Sequence, residues 1–155
     1  MITLTDYDRK VYEKELKGFL PKEFIDCHVH VWEKDFPYQG SSNGGSTWTR
    51  KVCEYLTAEE LIESYKIMFP ENKVTPFVFG SCSRHIPTCN EYVKNKSVEH
   101  GFPTLFRTSY EMTPDYLEQE VKKGGFLGLN LIFQTVLLIF RLLKLEFLTI
   151  FPKSI

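Results

Sequence analysis

Phe24-Ile25-Asp26-Cys27-His28-Val29-His30-Val31-Trp32 is the stretch that decides the fold of this chain. An apolar, β-branched run of this length predicts a strand. Residues two apart on a strand project from the same face, so His28 and His30 stand side by side. Two imidazoles placed together are the pattern of a site for a divalent metal, because neutral ring nitrogens suit zinc and its neighbours. They are half a site, and the remaining ligands must come from elsewhere. Asp26, in mid-strand, is expected to act as a structural or orienting carboxylate rather than as a ligand.

Working outward, helix and strand signals alternate. Before the strand, Thr5 and Asp8 form a capping-box pattern, Tyr12, Leu16 and Phe19 recur at helical spacing, and Gly18 with Pro21 ends the helix. After it comes a polar loop, Gly40-Ser41-Ser42-Asn43-Gly44-Gly45-Ser46, which lacks the Gly-Lys-Ser/Thr ending of a phosphate loop and reads as a flexible connection. Thr57 and Glu60 make a second capping box, and Leu61, Ile62, Tyr65, Met68 and Phe69 line one helical face. Val74 to Phe79 predicts a second strand closed by Gly80. A helix is expected from about Asn90 to His100, and Thr104 to Thr108 predicts a third strand. Thr113 caps a further helix with Pro114 at its first position and Gly124 just past its end, and Phe126 to Leu129 opens a fourth strand.

Strands alternating with helices imply right-handed βαβ units and a parallel sheet. About four parallel strands with their helices amount to the N-terminal half of a (β/α)₈ TIM-type barrel, a fold that typically needs about 250 residues. The barrel is therefore expected to be incomplete. Active sites of such barrels lie at the C-terminal ends of the strands, and that is where His28 and His30 fall on the first strand.

The 155 residues, 43% apolar, suffice for one domain with a real core, and a net charge of −1 gives no basic footprint for nucleic acid. The charged start has no secretory apolar region, and Cys27, Cys53, Cys82 and Cys89 include no Cys-x-x-Cys pair. Both point to a reducing cytoplasm. Cys82, His85 and Cys89 are only loosely zinc-like in spacing, lack an evident fourth ligand, and read as ordinary loop and helix residues. His85, His100 and Arg107 reach a substrate only if position brings them there, and read first as surface or structural groups.

The first strand resembles that of the amidohydrolase superfamily, and more narrowly the amidohydrolase-related (amidohydrolase 2) metal-dependent hydrolases. The resemblance continues through Phe69-Pro70-Glu71-Asn72-Lys73-Val74-Thr75-Pro76-Phe77-Val78-Phe79-Gly80, Asn90-Glu91-Tyr92-Val93 and Gly125-Phe126-Leu127-Gly128-Leu129, and so covers roughly residues 10 to 129. It implies a distorted (β/α)₈ barrel, one or two divalent metals (usually zinc), and His28 and His30 as the first ligands. It also implies a small-molecule substrate whose carbonyl-type carbon is attacked by metal-activated water. Further ligands are expected from later strands: a lysine or glutamate on the fourth, histidines on the fifth and sixth, and an aspartate on the eighth. An Asp-x-His-x-His first strand also occurs in PHP-type phosphoesterases, which are the alternative enzyme class.

From Asn130 the composition changes. Residues 131–155 are mostly Leu, Ile and Phe, interrupted by Arg141, Lys144 and Glu146. The charge-free run from Phe126 to Phe140 is shorter than the roughly 18–20 residues of a membrane span. Family members commonly continue Gly-Leu with Lys-Pro-Tyr, which can be encoded AAA-CCT-TAT. Loss of one A gives AAC-CTT-AT, read as Asn and Leu and then Ile, as at Asn130, Leu131 and Ile132. The favoured division is thus residues 1–129 as barrel and 130–155 as an out-of-frame tail, the chain being a truncated and inactive relative of a hydrolase. The non-enzyme alternative is a small membrane-associated or interaction protein whose apolar tail is genuine. A half-barrel has open sheet edges, so marginal stability is expected.

Overall fold

A computed structural model describes residues 3–38, 52–109 and 111–131. The polar loop around residues 40–46 and the tail from residue 132 onward lie outside these residues. Among these described residues, four helices and four strands alternate: α1 (Asp6–Val11), β1 (Glu23–Val31), α2 (Ala58–Met68), β2 (Lys73–Gly80), α3 (Ile86–His100), β3 (Phe106–Arg107), α4 (Pro114–Gly124) and β4 (Leu129–Asn130). A turn of π-helix, Tyr12–Leu16, prolongs α1.

Local chemistry starts the helices where the sequence places them. Thr5 and Asp8 exchange side-chain and backbone hydrogen bonds at the head of α1, and Thr57 and Glu60 do the same at α2. Both are complete capping boxes that satisfy otherwise orphaned N–H groups. Two boundaries differ from expectation. α3 begins at Ile86 rather than near Asn90, because Pro87 suits a first turn and His85, which precedes it, supplies no side-chain cap to signal the start. α4 ends through Gly125, not Gly124, since Gly125 is the residue in the left-handed region at φ +68°.

All strand pairings between the named strands are parallel. β1 pairs with β2 from Glu23↔Lys73 to Val31↔Gly80, and β3 pairs with β4 at Phe106↔Leu129 and Arg107↔Asn130. The two pairs form small sheets, linked by a single parallel bridge between Val78 and Thr104. The third and fourth strands are shorter than their apolar runs suggested. Thr104 is shared, its hydroxyl donating to the Val78 carbonyl on β2 while its own carbonyl accepts the Leu127 N–H, and Phe126 is 7% exposed in the core instead of joining the ladder. Among the described residues the sheets stay open: an alternating α/β arrangement whose strands succeed one another in chain order, without closure.

The core lies between the sheet and α2, α3 and α4. Val31, Val78 and Phe106 point toward the helices and meet Leu61, Tyr65, Tyr92, Val93, Phe102 and Phe126. Burying each such side chain is worth about 1.5–3 kcal/mol, which is what pins the helices to this face. The Tyr92 hydroxyl accepts the backbone N–H of Ala58 at 3.0 Å and so ties α3 to the start of α2. At the end of β2 the contact is closer still: a Cβ on Gly80 would stand 2.4 Å from the Cβ of Cys89, so only glycine lets β2 and α3 approach this far.

Candidate metal centre

β1 is not a regular strand. Its register against β2 shifts between Asp26↔Pro76 and Val29↔Val78, so that Cys27 and His28 together oppose Phe77. This β-bulge re-aims the side chains that precede it. Simple alternation would put Asp26, His28 and His30 on one face. The bulge instead sends Asp26 to the helix side, where its carboxylate accepts the Tyr65 hydroxyl at 2.7 Å and the His28 backbone N–H at 3.2 Å. Burial and this carboxylate together push the Tyr65 phenol far above its ordinary pKa. Asp26 thus works as an anchoring group for the bulge.

The two histidines share the opposite face. Their ring centroids are 5.2 Å apart, and both rings stand edge-on to Phe79, at 4.8 Å from His28 and 4.7 Å from His30. Phe79, only 2% exposed, is the floor on which the pair rests. His30 Nδ1 lies 2.8 Å from the Gly80 carbonyl oxygen. A carbonyl can only accept, so Nδ1 carries the proton and Nε2 is left with a free lone pair. Burial holds the His30 pKa below its usual value, with Arg107 adding to the effect and the Gly80 bond opposing it. Near neutral pH the ring is uncharged, the state in which imidazole binds metal.

The loop after β2 closes over this face. Arg107, 3% exposed at the end of β3, donates to the carbonyl of Ser81, to that of Cys82 at 2.6 Å and to that of Arg84 at 2.8 Å. Asn90 holds the backbone of Arg107 through a pair of 2.9 Å hydrogen bonds. Arg84 in turn donates to the Phe36 carbonyl at 2.7 Å and packs 4.0 Å over the Tyr38 ring. Arg107 is therefore a buried clamp on the loop and not a surface group. Cys82, at the loop's tip, brings its Sγ to 3.7 Å from His30 Nε2.

The other sequence candidates do not converge here. His85 is engaged with Thr88 at 2.9 Å, and Cys89 is buried against Gly80 with its thiol pushed up to about 11 by burial. The Cys82–His85–Cys89 spacing thus forms no ligand set. His100 lies on the helical side of the molecule, with Glu59 and Glu99. The ligand atoms of Glu59, Glu99 and His100 all fall within 4.8 Å of one another, a group that can coordinate a metal ion and that sequence spacing did not reveal. Glu59 and His100 lie far apart in the chain and meet only because α2 packs beside α3. Lys96 already bonds both carboxylates there. Burial raises the Glu59 pKa, but hydrogen bonds from Lys96, from backbone and from His100 outweigh it and hold the carboxyl at about 2.

Compared with known proteins, the chain matches no family model, no curated protein and no solved structure. What the described residues define is an alternating α/β chain with open parallel sheets and a Glu59–Glu99–His100 group able to coordinate a metal ion. No helix among the described residues is long and apolar enough to cross a membrane.

Proposed function

We propose that this chain is the first half of a metal-dependent hydrolase of the amidohydrolase-related type, with His28 and His30 as its opening pair of metal ligands. One observation carries the reading. The two imidazoles share the helix-free face toward the C-terminal end of the first strand, and the proton on Nδ1 leaves the Nε2 lone pair of His30 free for an ion. The donor chemistry fits a borderline cation such as zinc, and a carbonyl partner on the far ring nitrogen is the usual way a ligating histidine is held. Bound at this pair, such an ion supplies Lewis-acid polarisation and a water acidic enough to act near neutral pH.

The chain's own residues prepare the face in three ways. Phe79 supports both rings, the bulge at Cys27 and His28 sets their direction, and Arg107 holds the covering loop. At the end of β4 stands Asn130, paired with Arg107, at the place where the resemblance leads one to expect a lysine. A carboxamide cannot take that lysine's part, so the half-site is not completed from β4. The proposal therefore includes an altered reading frame from Asn130 onward.

Two experiments test this reading. Zinc uptake by the full chain, measured after equilibrium dialysis, is expected to fall more than about 10-fold in His28→Ala and in His30→Ala. Undiminished uptake in both variants rejects the ligand assignment. Translating the DNA downstream of codon 130 in the neighbouring frame is expected to give further strand segments bearing histidines and an aspartate, and their absence removes the frame argument.

A further inference from the structure

Tyr65 is a buried ionisable group to which the metal chemistry gives no part, yet one carboxylate connects it to the proposed site. It stands on α2, 7% exposed, and its hydroxyl donates to Asp26 Oδ2 at 2.7 Å. The other oxygen of the same carboxylate, Oδ1, accepts the His28 N–H at 3.2 Å. A side chain that accepts the backbone N–H two residues on closes a local turn. This turn closes over Cys27 and His28, where β1 carries its extra residue, and so sets the direction in which the His28 side chain leaves the backbone. The terminal torsion of an aspartate is broad and soft, so one hydrogen bond leaves the carboxylate free to swing. Bonds at both oxygens hold it. The Tyr65 ring that supplies the second bond is itself fixed in the core, beside Phe69 at 6.5 Å between centroids.

From this relay we infer that Tyr65 is a positioning residue for the His28 ligand. Acting through Asp26, its hydroxyl holds the bulge in the geometry that keeps the two imidazoles 5.2 Å apart, so a group on the helix side of the sheet sets the metal affinity of the opposite face. The inference rests on the proposed metal role of the histidine pair and adds a control point on α2. The oxygen is what distinguishes the role from packing. Ring burial in a core needs no hydroxyl, and a buried hydroxyl is tolerated only with a partner. Here that partner is the carboxylate bonded to the backbone of His28.

Zinc titration of the full chain in a double-mutant cycle provides the test. Tyr65→Phe removes one oxygen and leaves the ring in the core. It is expected to weaken zinc binding about 10-fold in the parent chain and to add nothing to the residual affinity of His28→Ala, where the ligand it positions is gone. A tyrosine that only supports the fold lowers both affinities by the same factor, and that result overturns the inference. Asp26→Asn keeps an acceptor for the His28 N–H and a polar partner for Tyr65, so its affinity is expected to stay close to the parent's, whereas Asp26→Ala is expected to lose at least as much as Tyr65→Phe. Equal losses in Asp26→Asn and Asp26→Ala overturn a role in positioning. Amide hydrogen exchange without metal gives a second measurement: the His28 amide is expected to exchange faster in Tyr65→Phe while that of Val78 keeps its rate, and an unchanged His28 rate also overturns the inference. Zinc affinity lost in His28→Ala but unaltered in Tyr65→Phe overturns the positioning role and spares the ligand assignment. No zinc uptake by the parent chain overturns both.

Discussion

Two regions of this molecule gather metal-ligating side chains, and they differ in what already occupies them. On the helix-free face of β1 and β2 the donors are two imidazoles, one of them, His30, with its pKa lowered by burial and its Nδ1 held by a carbonyl partner. Among the helices, Glu59, Glu99 and His100 crowd together, but Lys96 sits on both carboxylates. A cation entering the first region displaces nothing charged. One entering the second must first expel an ammonium group from two ion pairs. Proximity of ligand atoms therefore says less about metal affinity than the charge balance already present.

The comparison breaks most visibly if the imidazole face loses its clamp. Arg107→Ala strands the carbonyls of Ser81, Cys82 and Arg84 and opens a void in the interior, and is expected to cost about 3 kcal/mol in urea unfolding. A variant as stable as the parent would show that the loop holds itself. Gly80→Ala drives a methyl group into Cys89 at the β2–α3 contact. An expected loss of about 1–3 kcal/mol follows from overpacking, and Cys89→Gly in the same chain should restore part of it by removing the clashing Cβ. An unchanged midpoint for Gly80→Ala would mean the strand and helix can part without penalty.

Metal partition between the two regions sharpens the contrast directly. His30→Ala is expected to cut zinc affinity more than about 10-fold, whereas Glu99→Gln leaves it unaltered. The reverse order would move the centre to the helical cluster. The smallest effect belongs to acid. Glu59 is held at about 2 against an ordinary 4.5, so its ion pairs stabilise the folded state above pH 4.5. That contribution fades as pH falls through the folded value of about 2. Because the cluster is exposed, it is worth less than about 1 kcal/mol, and Lys96→Met should flatten the stability profile between those limits. A profile that Lys96→Met does not change would show the network to be energetically silent.

Much of this was legible beforehand, for physical reasons that differ by element. Capping boxes at Thr5 and Thr57 are local hydrogen-bond patterns, so α1 and α2 begin where residue types demand. Helix α3 starts early because a proline turn without a capping side chain leaves only a weak mark. The ends of β3 and β4 moved because ladder length depends on neighbours: Thr104 divides its bonds between Val78 and Leu127, and Phe126 is drawn into the core. His28 and His30 face the same way, as their spacing requires. Asp26 does not join them, since the bulge adds a residue that alternation cannot foresee.

By itself, the sequence determined the order of helices and strands, the parallel character of the sheet and the adjacency of His28 with His30. These follow from periodicity, capping and the geometry of a strand, all of which act over a few residues. The tertiary structure alone decided that Asp26 turns to Tyr65, that Arg107 is buried to hold the loop after β2, and that Cys82 reaches His30 while Glu59 reaches His100. Each of these joins groups far apart in the chain, and only the packing of α2, α3 and the two sheet pairs brings them within bonding distance.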